Sequence, residues 1–122
     1  MSPSLTRRLA LAGLATALAG PALAQKKTGG RSAAIAGRYR AEGRNPDGSA
    51  YSGTVAVVQQ GDAVEFTWQV GNDSYRGAGT IEGRVVTVDW GDTHPVVYVV
   101  MPDGELHGTW ADGTALERMR PM

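Results

Sequence analysis

Cysteine is absent from this chain of 122 residues, phenylalanine occurs once and histidine only twice. Without cysteine there is no disulfide, no thiolate metal ligand and no thiol nucleophile. With His94 and His107 as the whole histidine complement, a triad or a histidine-rich metal centre has little to draw on. Long apolar runs are scarce as well. The longest, Leu9–Ala24, spans 16 residues and is broken by Gly13, Gly20 and Pro21, short of the ~20 that cross a bilayer. The expectation is no membrane span. Beyond position 36 no ten-residue stretch has a helical period, which argues against an α/β or helical fold.

What the first residues do contain reads as an address. Arg7 and Arg8 form a basic start, the apolar stretch comes next, and "ALA" at 22–24 precedes Gln25. These are the parts of a secretory signal peptide, with cleavage expected after Ala24 and a periplasmic or secreted product. "TRR" (6–8) fits both the general and the twin-arginine export routes, and the missing cysteine excludes a lipoprotein anchor. The next stretch, "QKKTGGRSAA", is Gly/Ser-rich and without periodicity, so residues 25–35 are expected to be a flexible basic tail. The domain should occupy 36–122.

Charge narrows the class of partner. Twelve basic residues balance twelve acidic ones, but two arginines leave with the leader and three more basic residues lie in the tail. From Ala36 onward seven basic residues face twelve acids, a net of −5. A nucleic-acid binder needs a basic face, so nucleic acid is excluded. The expected partner is a protein or a small ligand outside the cytoplasm.

The domain itself has period two. In "DAVEFTWQV", Val64, Phe66, Trp68 and Val70 alternate with Glu65, Thr67 and Gln69, as in a strand with one buried face. Comparable runs are "GRYRAEG", "AYSGTVAVV", "SYRGAGTIEG", "RVVTVDW", "PVVYVVM", "ELHGTW" and "ALERM". Between them lie turn sequences such as "NPDG" (45–48), "GND" (71–73), "GDTHP" (91–95) and "ADG" (111–113). Eight strands joined by such short loops leave no room for crossovers, which predicts an antiparallel meander. A long meander hides its edges by closing, and eight strands enclose a space just wide enough for side chains or one small ligand. The predicted fold is therefore all-β, an eight-stranded filled barrel, avidin-like or lipocalin-like in outline. Gly53, Gly77, Gly79 and Gly108 share the faces of Tyr51, Tyr75, Ile81 and Trp110, and glycine inside a strand marks close approach of another group. The rings of Trp68, Trp90 and Trp110 are the expected groups. "PDGSAYSGTV" (46–55) and "PDGELHGTW" (102–110) echo one another, which reads as shared hairpin chemistry.

The succession "NPDGSAYSGTV", "FTWQVGNDSYRGAGTIEG", "VTVDWGDTHPVVYVV" and "DGELHGTWADGTALERM" resembles a family of small exported alphaproteobacterial proteins that commonly carry the label fibronectin-binding protein. The resemblance spans residues 37–122, with "VDWG…PVVY" (88–98) and "DG-L-GTW" (103–110) its most specific parts. It implies an adhesive, non-catalytic role, without site residues.

Asp89, Asp92 and His94 are the most concentrated polar group near an apolar strand. They lack a third firm ligand for a metal, and an Asp after Trp-Gly is explained as a turn residue bonding its own backbone. Ser49, Ser52 and Ser74 have no nucleophile elbow or oxyanion loop. No cofactor and no catalytic set is implied. The reading is a non-catalytic exported binding module using outer strand faces and loops, with Asp89, Asp92, His94, Asp103 and Glu105 as candidate contact residues. Two other readings stay open: a carrier of a small apolar ligand inside the barrel, and an inhibitor that inserts an acidic loop into a hydrolase.

Overall fold

A computed structural model describes residues 32–122; the leader and most of the tail lie outside the described residues. Eight strands succeed one another: β1 (Gly37–Arg44), β2 (Ala50–Gln60), β3 (Ala63–Val70), β4 (Asp73–Glu82), β5 (Val85–Asp89), β6 (Val96–Val100), β7 (Leu106–Trp110) and β8 (Ala115–Pro121). Each pairs antiparallel with the next, and β8 returns to β1, so the meander closes into a barrel. Closure leaves no free strand edge. On the outside of the closing seam Arg118 and Arg120 each donate to a different oxygen of Glu42, both at 3.0 Å. As surface ion pairs these are worth little individually; the ladder from Leu116–Arg44 to Pro121–Tyr39 is what joins the strands.

Alternation decides what fills the interior. On β3 the residues Val64, Phe66 and Trp68 are buried while Ala63 and Glu65 are exposed. On β5 and β6 the inward sets are Val86–Val88 and Val96–Tyr98–Val100. With Tyr39, Ala41, Val55, Val57, Ile81, Leu106 and Met119 they make one continuous core. Each large apolar side chain so buried contributes roughly 1.5–3 kcal/mol before chain entropy is charged against it.

The inward glycines let the strands approach. A Cβ on Gly108 would overlap the Val97 carbonyl oxygen on β6 and lie 2.6 Å from Tyr98 Cδ1. At Gly53 and Gly79 the obstacle is likewise backbone, the carbonyls of Gln69 and Thr87. Of the expected tryptophan rings, Trp68 is among the nearest groups at Gly77, where its Cζ3 would be 3.2 Å away. The glycines therefore serve mainly the tight coiling of a small barrel, in which neighbouring backbones crowd the inner face.

The tail ends earlier than its composition suggests. Residues from Ser32 to Ala36 cross one end of the barrel, and Ile35 is 2% exposed. The side-chain amide of Gln59 substitutes for a strand partner: it accepts from Ile35 N (2.7 Å) and donates to Ala33 O (3.0 Å). Ala33 N bonds Gly83 O at 2.9 Å, and the Tyr39 hydroxyl donates to Ile35 O at 2.6 Å. Absence of periodicity predicts flexibility up to residue 35. One isoleucine and a few side-chain partners suffice instead to dock the last of these residues as a plug.

Candidate functional site

Among the described residues nothing plugs the opposite end. It is bounded by the β1–β2, β3–β4, β5–β6 and β7–β8 connections and holds a cavity of about 380 Å³ lined by Asn45, Tyr51, Trp68, Val70, Tyr75, Trp90, Val96, Trp110 and Glu117. That is at the small end of the ~300–1,000 Å³ typical of ligand sites.

Its walls are aromatic. Tyr75, Trp90, Trp110 and Tyr51 form a chain of rings, each edge-on to the next, with centroid separations of 6.1, 5.8 and 6.1 Å. Interplanar angles of 76°, 86° and 69° set each ring across the next, and all four line the cavity. The loops hold these rings. Trp90 donates its indole N–H to His94 O at 3.2 Å. Trp110 stands where β7 enters a hairpin in which Ala111 and Asp112 both have positive φ (50° and 56°). Two consecutive non-glycine residues in the left-handed region are costly and persist only where the surroundings impose them. Here Thr114 supplies that constraint, bonding Ala111 O through its amide (3.1 Å) and its hydroxyl (2.6 Å).

The floor is a carboxyl group. Glu117 lies on the inward phase of β8, between Ala115 and Met119, and is 6% exposed. Its Oε2 accepts from the Tyr98 hydroxyl (2.6 Å) and Trp68 Nε1 (3.1 Å), and its Oε1 from the Tyr51 hydroxyl (2.7 Å). Three converging donors suit a carboxylate, which is acceptor-only. Among the described residues no Lys, Arg or His side chain comes within ion-pair distance of it. An ion taken from water at this depth costs several kcal/mol, which the three charge-assisted bonds offset in part. Burial first, then the negative charge of Glu117, then the bond to it push the Tyr98 hydroxyl well above its ordinary pKa. Tyr51 is raised by the same causes in the same order. Beneath, Tyr98 stacks on Phe66 at 5.5 Å and 11°, joining the site to the core.

The residues singled out from sequence are divided between the two ends. Asp89 ends β5, and Asp92 and His94 lie in the β5–β6 connection, all at the mouth. Asp89 accepts from Gly91 N at 3.0 Å, so the local turn bond expected of Asp92 is made by Asp89 instead. The exposed His94 ring lies 3.9 Å from Asp112 of the β7–β8 hairpin. Asp103 and Glu105 sit at the plugged end. Asp103 accepts from Glu105 N at 3.0 Å just as Asp47 accepts from Ser49 N at 2.9 Å, so the two Pro-Asp-Gly hairpins share one chemistry. Glu105 pairs with His107 at 2.7 Å. Among the described residues no His, Asp and Glu group is arranged to hold a metal, and no helix is long and apolar enough to cross a membrane.

Glu117, Tyr51 and the chain of rings are absent from the sequence candidates. A signal for Glu117 is nonetheless present: "ALERMR" places Glu in phase with Ala and Met, while Leu116 shares its phase with two arginines. The structure obeys the arginines, leaving Leu116 53% exposed.

No family model matches this chain, and no curated protein matches it. Among solved structures the chain is similar to a redesigned β-barrel, at 15% identity and a TM-score of 0.55, over 72% of this chain and 91% of that one. At that identity the likeness concerns the fold alone.

Proposed function

We propose that the protein is an exported, non-catalytic binding protein that takes a small organic ligand into the aromatic mouth of its barrel. The observation that carries this reading is the cavity of about 380 Å³ walled by four edge-on rings above a buried carboxylate. Aromatic walls with a few placed polar groups are the usual make-up of small-molecule sites. The leader in the sequence supports export, with a mature chain beginning at Gln25.

Binding through the outer strand faces has less behind it. The exposed large apolar residues there are Val58, Val85, Val99 and Leu116. Of these only Val85 and Val99 are registered neighbours; isolated exposed residues need no partner. The acidic candidates at opposite ends do not form one contact surface either. Catalysis has less behind it, because the cavity lining places no histidine and no second carboxylate beside Glu117, among the described residues, to complete an acid–base pair.

The test is intrinsic fluorescence, since all three tryptophans line the cavity. The chain from Gln25, titrated with small aromatic alcohols and amines, should give a saturable change that is abolished in Trp90→Ala/Trp110→Ala. Silence toward the whole panel would overturn the reading. So would capture of fibronectin by wild type and the double variant alike.

A further inference from the structure

The donor and acceptor inventory of the mouth is lopsided. The indole N–H groups of Trp68, Trp90 and Trp110 are committed to Glu117, His94 O and the Tyr51 hydroxyl. The Tyr98 and Tyr51 hydroxyl protons are committed to Glu117. Apart from Asn45 and the Tyr75 hydroxyl at the rim, the surface facing the cavity offers aromatic rings and acceptor lone pairs. A ligand that brings its own acceptor, such as a carboxylate, phosphate or carbonyl, finds no donor at the floor. The surroundings have the same sign. The connections and strand ends around the mouth carry Asp47, Asp73, Asp89, Asp92 and Asp112, against Arg44, Arg76 and His94. Arg44 is engaged with Gly48 O at 3.1 Å, and Arg76 lies on the outward phase of β4, opposite Thr67.

Resting on the reading of the mouth as a ligand site, we propose that its ligand is a small organic cation, an amine bearing an apolar body. The ammonium would supply the counter-ion that Glu117 lacks among the described residues. The faces of Trp90, Trp110 and Tyr51 attract cations through their ring quadrupoles, an effect that grows on desolvation. The acidic rim raises the local concentration of cations and speeds their entry, with a dependence on ionic strength. The cavity of about 380 Å³ has room for a monoamine with one ring.

Three isosteric probes test this on the chain from Gln25, which retains every described residue: phenethylamine, phenethyl alcohol and phenylacetate, monitored by tryptophan fluorescence and calorimetry at pH 7. The amine should bind at least tenfold more tightly than the alcohol, and phenylacetate should not bind measurably. Raising salt should weaken the amine and leave the alcohol unchanged. Glu117→Gln should bring amine and alcohol to within threefold of each other. Should that variant fail to fold, Trp110→Leu, at the rim, should still reduce the amine-to-alcohol preference at least threefold. Equal affinity for amine and alcohol in wild type would overturn the cation assignment while leaving a small-molecule site standing. Binding of phenylacetate in preference to the amine would overturn it more strongly. Silence toward all three would remove both.

Discussion

Replacing Gly108 by alanine probes how the barrel is closed, because the added Cβ meets backbone on the neighbouring strand. It would overlap the Val97 carbonyl oxygen and come within 2.6 Å of Tyr98 Cδ1 and 3.0 Å of Tyr98 Cα. A flexible side chain could turn aside; β6 cannot, because it is paired with β5 on its other edge. Overpacking of this kind costs ~1–3 kcal/mol, and displacing β6 strains at least one ladder bond, worth ~1 kcal/mol. Alanine recovers ~0.5–1 kcal/mol by restricting the unfolded chain. The net expectation is a loss of about 2–3 kcal/mol, and more for Gly108→Val. In urea, with a slope of ~1–2 kcal/mol/M for a domain of this size, the midpoint should fall by roughly 1.5–2 M. Gly77→Ala is the internal comparison. Its nearest obstacle is Val88 Cγ1 at 2.7 Å, a side-chain methyl, and the Asp89 carbonyl oxygen at 2.9 Å is a milder backbone clash than the one at Gly108, so a smaller loss of about 1 kcal/mol is expected. A Gly108→Ala midpoint within ~0.3 M of wild type, or a larger loss at Gly77 than at Gly108, would refute the close-packing argument.

Alkaline pH should unfold the domain through its tyrosines. The raised pKa of buried Tyr98 means that its stabilising contribution is intact below its ordinary value of 10.0 and is lost as pH rises beyond it. The two lysines, Lys26 and Lys27, precede the described domain and do not blur that window. Urea midpoints should be level from pH 7 to 9 and fall above ~10, less steeply in Tyr98→Phe; a level profile through pH 11 would contradict the burial argument. Ile35→Ala should cost ~2–4 kcal/mol by emptying the plug, which thermal denaturation would read as a lower Tm, whereas an unchanged Tm would return residues 32–35 to the flexible tail. Asp92→Ala and His94→Ala should each change stability by no more than ~1 kcal/mol, as exposed turn sites do, and elemental analysis of the purified protein should find no stoichiometric metal.

Strand periodicity, turn residues and net charge are local or additive properties, so the order of amino acids alone is enough to establish their consequences. Alternation in "AVEFTWQV" defines an inward face. The Pro-Asp-Gly hairpins at 45–49 and 101–105 define where the chain reverses. Eight strands without crossovers leave a meander with edges to hide. The same locality hides the plug, since nothing in "SAAI" announces that Gln59, 24 residues beyond Ile35, will accept its amide proton. The candidate site is illegible for the same reason in stronger form. Glu117 meets Trp68 across 49 residues of sequence and Tyr51 across 66. The chain of rings draws on β2, β4, β5 and β7 or their ends. Neighbouring acids such as Asp89 and Asp92 stand out because they are close in the chain, yet closeness in a turn is explained by the turn. Only closure of β8 against β1 and β7 decides that one glutamate faces three donors and, among the described residues, no cation. Convergence of side chains from distant strands depends on register and curvature, which no single stretch of chain encodes.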